Sequence, residues 1–273
     1  MSTIDFHATR RGVLAHFAAD QCIAQSLRRY GEWAENEITL LRPYLGPGDT
    51  ALDVGANVGT HTLAFAEFVG PTGRVIAIEG QLSTFALLGH NVLVNGLAEV
   101  VTALPVLAGA EPALVESSLT PPSDNVGAKS FFPDVHGRSI HGVPVHALPP
   151  RPKGLPVKLA LITVDSLQLS DCALMKVDVE GMELDVLLGS RETLERTRPV
   201  VYFEQAAGAA SGLGEIQALL RGLGYRLFRH LTPAFNPQNF KGSADNIFGD
   251  ATELNILAVP EGAAIPAGLD EIV

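Results

Sequence analysis

Thr50-Ala-Leu-Asp-Val-Gly-Ala-Asn-Val-Gly-Thr60 is the stretch on which the fold turns. An apolar strand runs into Asp53, a turn carries Gly55, Asn57 and Gly59, and a helix opens at Thr60. Glycines at 55 and 59 permit positive φ, so a ligand can approach the main chain and the N-terminus of the following helix. A second apolar run, Arg74-Val-Ile-Ala-Ile-Glu79, also ends in an acid. Glu79 lies about 20 to 30 residues past the loop, where dinucleotide folds place an acid on a ribose diol. The pattern is that of a nucleotide-cofactor loop.

Two residues bear on which cofactor. Asn57 stands where G-x-G-x-x-G needs its second glycine, at the closest approach of a pyrophosphate, and Asp53 precedes the turn. A carboxylate there opposes a pyrophosphate and suits a ligand that carries an ammonium and a sulfonium, which is S-adenosylmethionine. The candidate cofactor contacts are therefore Asp53, Gly55, Asn57, Gly59, Thr60, His61 and Glu79. An NAD(P)-dependent oxidoreductase uses similar geometry and stays as an alternative, as does a catalytically silent S-adenosylmethionine-binding module.

Outward from the loop, strand and helix alternate. Strands are expected at 50–54, 74–79 and 99–106, with helices at 60–69 and 83–94; Gly70-Pro-Thr-Gly73 and Asn95-Gly96 supply the stops. Such alternation implies a parallel sheet with right-handed crossovers. Residues 1–48 read as an N-terminal helical preface, helical over 18–45, ahead of one domain at 49–273. From 108 to 160 the pattern breaks into short β-like pieces rich in Pro, Gly and His. This irregular insertion is expected to lie over the cleft and to help form the acceptor pocket, with Asn125 as a candidate substrate contact. Beyond it come a strand at 174–178, a helix at 182–196, a strand ending at Glu204, a helix at 213–223 and strands at 225–231 and 253–259.

Composition narrows the class. A chain of 273 residues with 47% hydrophobic content can bury a large single core. A net charge of −11, without a Lys/Arg cluster, argues against a nucleic-acid partner held through many phosphates. No apolar run reaches about 18 residues and the start, Met1-Ser-Thr-Ile-Asp-Phe-His7, is mixed rather than charged and then apolar, so the expectation is a cytoplasmic protein without a membrane partner. Cys22 and Cys172 are far apart and match no metal spacing. Oligomeric state is not readable.

A second constellation sits at Met175-Lys-Val-Asp-Val-Glu180. Lys176, Asp178 and Glu180 alternate, so in an extended segment they share one side. A central parallel strand is covered on both faces, so charges at its carboxyl end call for a reason. Ligands bind beyond the carboxyl ends of such strands. Asp178 or Glu180 can accept a hydroxyl proton, more readily if burial raises its pKa, and Lys176 can orient that acid or stabilise an alkoxide. Glu204 ends the next strand and faces the same cleft as a candidate substrate contact. Asp178 and Glu204 could also hold a divalent metal, but no third ligand is visible and a metal is not predicted.

Taken together these blocks resemble the FkbM family of S-adenosylmethionine-dependent methyltransferases. The resemblance runs through Tyr30-Gly-Glu-Trp33 with Glu37, Asp53 to Thr62, Gly73 to Glu79, Asn91 to Asn95, Val164-Asp-Ser-Leu167, Lys176 to Glu183 with Val186-Leu-Leu-Gly189, and Arg198 to Glu204. Asn236-Pro-Gln-Asn-Phe240 and Asn246-Ile-Phe248 are also similar to family members. It implies an α/β, class I methyltransferase Rossmann-like fold with a seven-stranded, mostly parallel sheet and helices on both faces. It also implies methylation of an oxygen, so the expected partner is a small-molecule acceptor with a hydroxyl, such as a sugar or natural product. One departure is Gly80, where the family usually has proline after the acid, and a looser turn is expected there.

Overall fold

The computed structural model describes residues 3–119, 155–179, 181–205 and 212–273. In chain order the first half comprises β1 (Ile4–Thr9), β2 (Gly12–Phe17), α1 (Ile23–Arg29), α2 (Glu35–Leu41), β3 (Thr50–Val54), α3 (Thr60–Val69), β4 (Arg74–Ile78), α4 (Leu82–Val94) and β5 (Val101–Leu104). Then follow β6 (Leu107–Ala108), β7 (Ala113–Leu119), β8 (Leu155–Ile162), β9 (Leu174–Val177), α5 (Glu183–Leu188) and α6 (Arg191–Thr197). The chain ends with β10 (Val200–Glu204), α7 (Leu213–Gly222), β11 (Tyr225–Pro233), β12 (Thr252–Pro260) and β13 (Asp270–Glu271).

The main sheet has the order β13-β11-β12-β10-β9-β3-β4-β5. Five strands, β5, β4, β3, β9 and β10, are parallel, and β12 inserts antiparallel between β10 and β11. The sheet therefore holds eight strands against the seven expected, because the two-residue β13 adds an edge beside β11. The chain steps from β3 outward to β5, then returns to β9 on the other flank of β3. That reversal is the switch point where a ligand crevice opens beyond the carboxyl ends.

Two apolar layers sandwich the sheet. Ala51, Leu174, Tyr202 and Leu257 face α2, α3 and α4, whereas Leu52, Val54, Met175, Val177 and Phe203 face the side of α5, α6 and α7. Period-two alternation along each strand separates these sets.

The preface differs from its expectation. Helices α1 and α2 lie within 18–45, but a β1–β2 hairpin precedes them, so 1–48 is not only helical. Polar side chains dock this hairpin on α4. Asn91 donates to Ala15 O and Val58 O and accepts from Ala15 N, and one turn on Asn95 pairs with Val13 N and O. The two amides, four apart on one helix face, act as a substitute strand along β2.

A second joint ties residues 10–32 to the 236–247 segment. The Glu32 carboxylate accepts from Arg10, from Asn236 Nδ2 and from Phe240 N. Tyr30 donates its hydroxyl to Asp245 O, accepts from Ile247 N and stacks near Phe235 and Phe248. The Tyr30–Trp33 and 236–248 blocks thus form one wall beside the carboxyl edge.

Two further differences have clear causes. The helix expected at 182–196 is broken at Gly189-Ser190, where a Cβ on Gly189 would lie 2.0 Å from Gly109 O. In the insertion, residues 155–162 are not irregular: β8 pairs with β7 antiparallel and with β6 in parallel. Asp165 fixes the next turn by accepting from Glu192 N, Thr193 N and the Thr193 hydroxyl at the start of α6.

Candidate active site

Strand alternation determines which side chains meet. Asp53 and Lys176 are register partners on neighbouring parallel strands, and both point to the α3 side. Along that same face, two residues at a time, follow Asp178 beyond β9, Tyr202 and Glu204 on β10, Glu253 and Asn255 on β12, and His230 and Thr232 on β11. At the carboxyl edge the apolar layer gives way to a polar one. Glu37 from α2 and His61 from α3 close over it.

Asp53 is fully buried, accepts from the Thr62 hydroxyl at 2.6 Å through Oδ2, and lies 3.9 Å from Lys176 Nζ through Oδ1. That Oδ1 makes no hydrogen bond within the protein. Lys176 Nζ reaches Asp178 Oδ2 at 3.0 Å. Burial disfavours the Lys176 ammonium, but Asp178, Asp53 and Glu37 outweigh it and raise its pKa, so the buried cation persists.

The loop is rigid for stated reasons. Gly55 has φ of +82°, and a Cβ there would lie 1.8 Å from Asp178 O, so the turn and the end of β9 touch through backbone alone. Gly55 N and Ala56 N both donate to Ile78 O. Asn57 takes a left-handed conformation that asparagine tolerates, and its N–H donates to Glu79 Oε2 at 2.9 Å. Gln81 N donates to Glu79 Oε1 at 2.7 Å, so the turn after β4 is held closed rather than loosened by Gly80. The space a side chain would take at 80 is filled by Leu107, whose Cδ2 lies 2.2 Å from that Cβ position. Burial pushes the Glu79 carboxyl up to about 7, opposed by its two backbone donors.

Of the expected site residues, Asp53, Gly55, Asn57, Gly59, Thr60, His61, Glu79, Lys176, Asp178 and Glu204 gather at this edge. Glu180 and Asn125 lie outside the described residues. Asp178 departs from expectation in its chemistry. Burial works to raise its pKa, but the Lys176 charge and hydrogen bonds from Lys176 and Glu204 prevail and hold it below the usual range. It is a stable anion rather than a strong base. His61 is buried, and burial together with the nearby Lys176 charge takes its pKa down to about 3, which leaves it neutral.

Sequence reasoning missed Glu37 as a site residue, together with Glu253, Asn255, Tyr202 and His230. Glu37 hydrogen-bonds the Glu253 side chain, and its Oε1 accepts from Asn255 Nδ2 at 3.0 Å. Burial pushes Glu37 up; burial and the Glu37 charge push Glu253 up to about 8. Tyr202 OH lies 2.8 Å from His230 Nδ1. The parity of these strand positions relative to Asp53 and Lys176 was the available signal. No group of three or more His, Cys, Asp or Glu with metal-binding geometry occurs among the described residues. No helix there is long and apolar enough to cross a membrane.

The donor set fits S-adenosylmethionine. Glu79 follows β4 where a ribose diol would be held, and Asp53 Oδ1, which makes no hydrogen bond within the protein, lies beside the turn.

Comparison with known proteins shows the family. Residues 53–227 match the family model described as the Methyltransferase FkbM domain. The 31-O-demethyl-FK506 methyltransferase FkbM of Streptomyces tacrolimicus is 30% identical over 209 residues, covering 70% of this chain and 78% of that protein. A protein-L-isoaspartate O-methyltransferase of Triticum aestivum is 52% identical over 42 residues, 15% of this chain and only 18% of that protein's length. Among solved structures, a methyltransferase FkbM from Methylobacillus flagellatus KT aligns with a TM-score of 0.47 and 15% identity, over 77% of this chain and 43% of that one.

Proposed function

This chain belongs to the FkbM family of methyltransferases, and from that premise we propose that it transfers the methyl of S-adenosylmethionine to a hydroxyl of a small molecule, sugar or natural product. The observation that carries the reading is the placement of Lys176 and Asp178 on the same sheet face as Asp53, directly against the Gly55 turn. The relative from Streptomyces tacrolimicus is named for a demethylated oxygen, which favours an oxygen acceptor here. The acidic balance favours a neutral or cationic small molecule over nucleic acid, and a cytoplasmic setting without a membrane partner is part of the proposal.

S-adenosylmethionine, when bound, supplies an electrophilic methyl on its sulfonium. Glu79 would hold the ribose hydroxyls, with Asp53 and the 55–59 turn beside the rest of the cofactor. Asp178, kept anionic by Lys176, accepts the hydrogen bond of the acceptor hydroxyl and turns its lone pair toward the methyl. Lys176 steadies charge that builds on that oxygen. Alignment within about 3 to 3.5 Å supplies much of the rate. Glu204, hydrogen-bonded to Asp178, sets the angle of that carboxylate.

The test is release of S-adenosylhomocysteine with a panel of hydroxylated sugars and polyketides, comparing wild type with Asp178→Asn. Turnover is expected to fall roughly 100-fold or more, with S-adenosylhomocysteine affinity changed little. Equal turnover would refute the role of Asp178. Transfer to RNA or protein, with none to small hydroxyl compounds, would refute the acceptor class. A chain that binds the cofactor but transfers to nothing would be the silent module, and a thermal shift with NADH in place of S-adenosylhomocysteine would revive the nicotinamide reading.

A further inference from the structure

Two carboxyl pairs share the carboxyl edge, and the mechanism above uses only one. Asp178–Glu204 has the Lys176 ammonium in contact; Glu37–Glu253 feels that charge only at longer range, where it opposes the effect of burial on Glu37, and no Lys or Arg forms an ion pair with it among the described residues. Glu37 is 4% exposed and Glu253 half-buried. Glu37 Oε2 lies 3.2 Å from His61 Nε2, a nitrogen that is buried and makes no hydrogen bond within the protein. A buried, unsatisfied polar atom costs stability unless something else partners it. Its position in the first turn of α3, directly after the cofactor loop, puts the carboxyl pair at the border of the crevice. The wall holds it there: Asn36 donates to Pro233 O, and Glu32 is bound by Asn236.

Two carboxyl groups in hydrogen-bond contact cannot both ionise easily and share a proton. A hydroxyl that accepts a methyl must lose its proton, and Asp178, stabilised by Lys176, holds protons poorly. We propose that Glu37, paired with Glu253, is the group that receives the proton of the acceptor hydroxyl. This rests on the methyltransferase reading above. As the acceptor oxygen takes the methyl, its O–H bond breaks, the electron pair of the old C–S bond stays with sulfur, and the proton moves to the Glu37 carboxylate. The pair then carries two protons and returns one to solvent through half-buried Glu253. Glu253 and Asn255 from β12, His61 from α3, Lys176 and Asp178 from β9 and its exit, and Tyr202 from β10 are the charged, titratable or polar groups that face it.

The probe is sinefungin, which carries a charged amine where the cofactor carries its sulfonium methyl, compared with S-adenosylhomocysteine, which carries nothing there. Calorimetry of the whole chain in buffers of different ionisation enthalpy counts protons released by each ligand between pH 6 and 8. Wild type is expected to release more protons with sinefungin, because the amine draws the pair into its ionised form; a proton drawn instead from the Asp178–Glu204 pair would survive substitution of Glu37 or Glu253. Glu37→Gln and Glu253→Gln should each abolish that excess and lower the sinefungin preference roughly tenfold or more, the loss of a hydrogen bond between charged groups. Thermal melts of both variants with S-adenosylhomocysteine check that the fold persists, and the less buried Glu253→Gln serves if Glu37→Gln unfolds. An equal proton count for the two ligands in wild type, or an excess that survives both substitutions, overturns the assignment and leaves the methyltransferase reading intact. If neither ligand binds, the cofactor reading falls and takes this inference with it.

Discussion

Glu79 offers a direct test of how the cofactor seat works. In the cofactor-free protein its carboxyl is held up to about 7 by burial. Hydroxyls of a ribose diol donating to it would favour the ionised form, so its pKa must fall on binding and a proton must leave. At pH 8 most molecules are already ionised and affinity stands near its plateau; at pH 6 only about one in ten is, which weakens binding about tenfold, or ~1.4 kcal/mol. At pH 7 each S-adenosylhomocysteine bound should release about half a proton from this group. Calorimetry in phosphate and in Tris separates that proton from the intrinsic heat. Glu79→Gln should bind more weakly at pH 8 and lose the slope between 6 and 8. A wild-type affinity flat across that range, with no buffer dependence, would show that the ribose does not engage Glu79.

Stability of the cofactor-free protein should also depend on pH. Glu79 and Glu253 have folded-state pKa values raised to about 7 and about 8, so the stability they confer is present below their unfolded values near 4.5 and is lost as pH rises through the folded ones. The histidines with depressed values act oppositely, but only below their unfolded 6.5, so the melting temperature should fall between pH 6.5 and 8; a rise there would contradict the burial of these acids. Gly55→Ala must place a methyl against Asp178 O in a left-handed backbone, and should cost about 3 kcal/mol or more by urea denaturation. A loss under 1 kcal/mol would mean that the loop and the end of β9 do not touch. Gly80→Pro should cost about 1–3 kcal/mol by overpacking and Leu107→Ala about 2–5 kcal/mol by cavity formation, but the double variant should cost less than their sum. Strict additivity would show that Leu107 does not fill the space at 80.

The parallel half of the sheet was legible because each element there is locally marked. Apolar runs end at Asp53, Glu79, Asp178 and Glu204, and glycines sit where the chain turns. The β1–β2 hairpin escaped because its alternation, Ile4, Phe6 and Ala8 against Asp5, His7 and Thr9, is carried by weak and mixed residues. β8 was hidden by its proline-rich surroundings, and the break at Gly189 by a contact with Gly109 that no periodicity encodes. At the site, Lys176 and Asp178 announced themselves as charges where a buried strand should be apolar. Glu37 and Asn255 are 218 residues apart, on a helix and on a strand whose neighbours only the sheet order reveals. Acids on a helix face look like ordinary solvated charges until a second element covers them.

The place of β12 in the sheet has a consequence for biosynthesis. This strand lies between β10 and β11, both of which precede it in sequence. Until residue 260 clears the ribosome, β10 ends the nascent parallel sheet with an open edge, and β11 waits unpaired. The cofactor half, β3 to β9, can form while synthesis continues; the half that carries Glu253, Asn255 and the wall against Glu32 cannot. The open edge is a site for wrong pairing with another nascent chain. Chaperone capture at this stage would cover that open edge until β12 arrives.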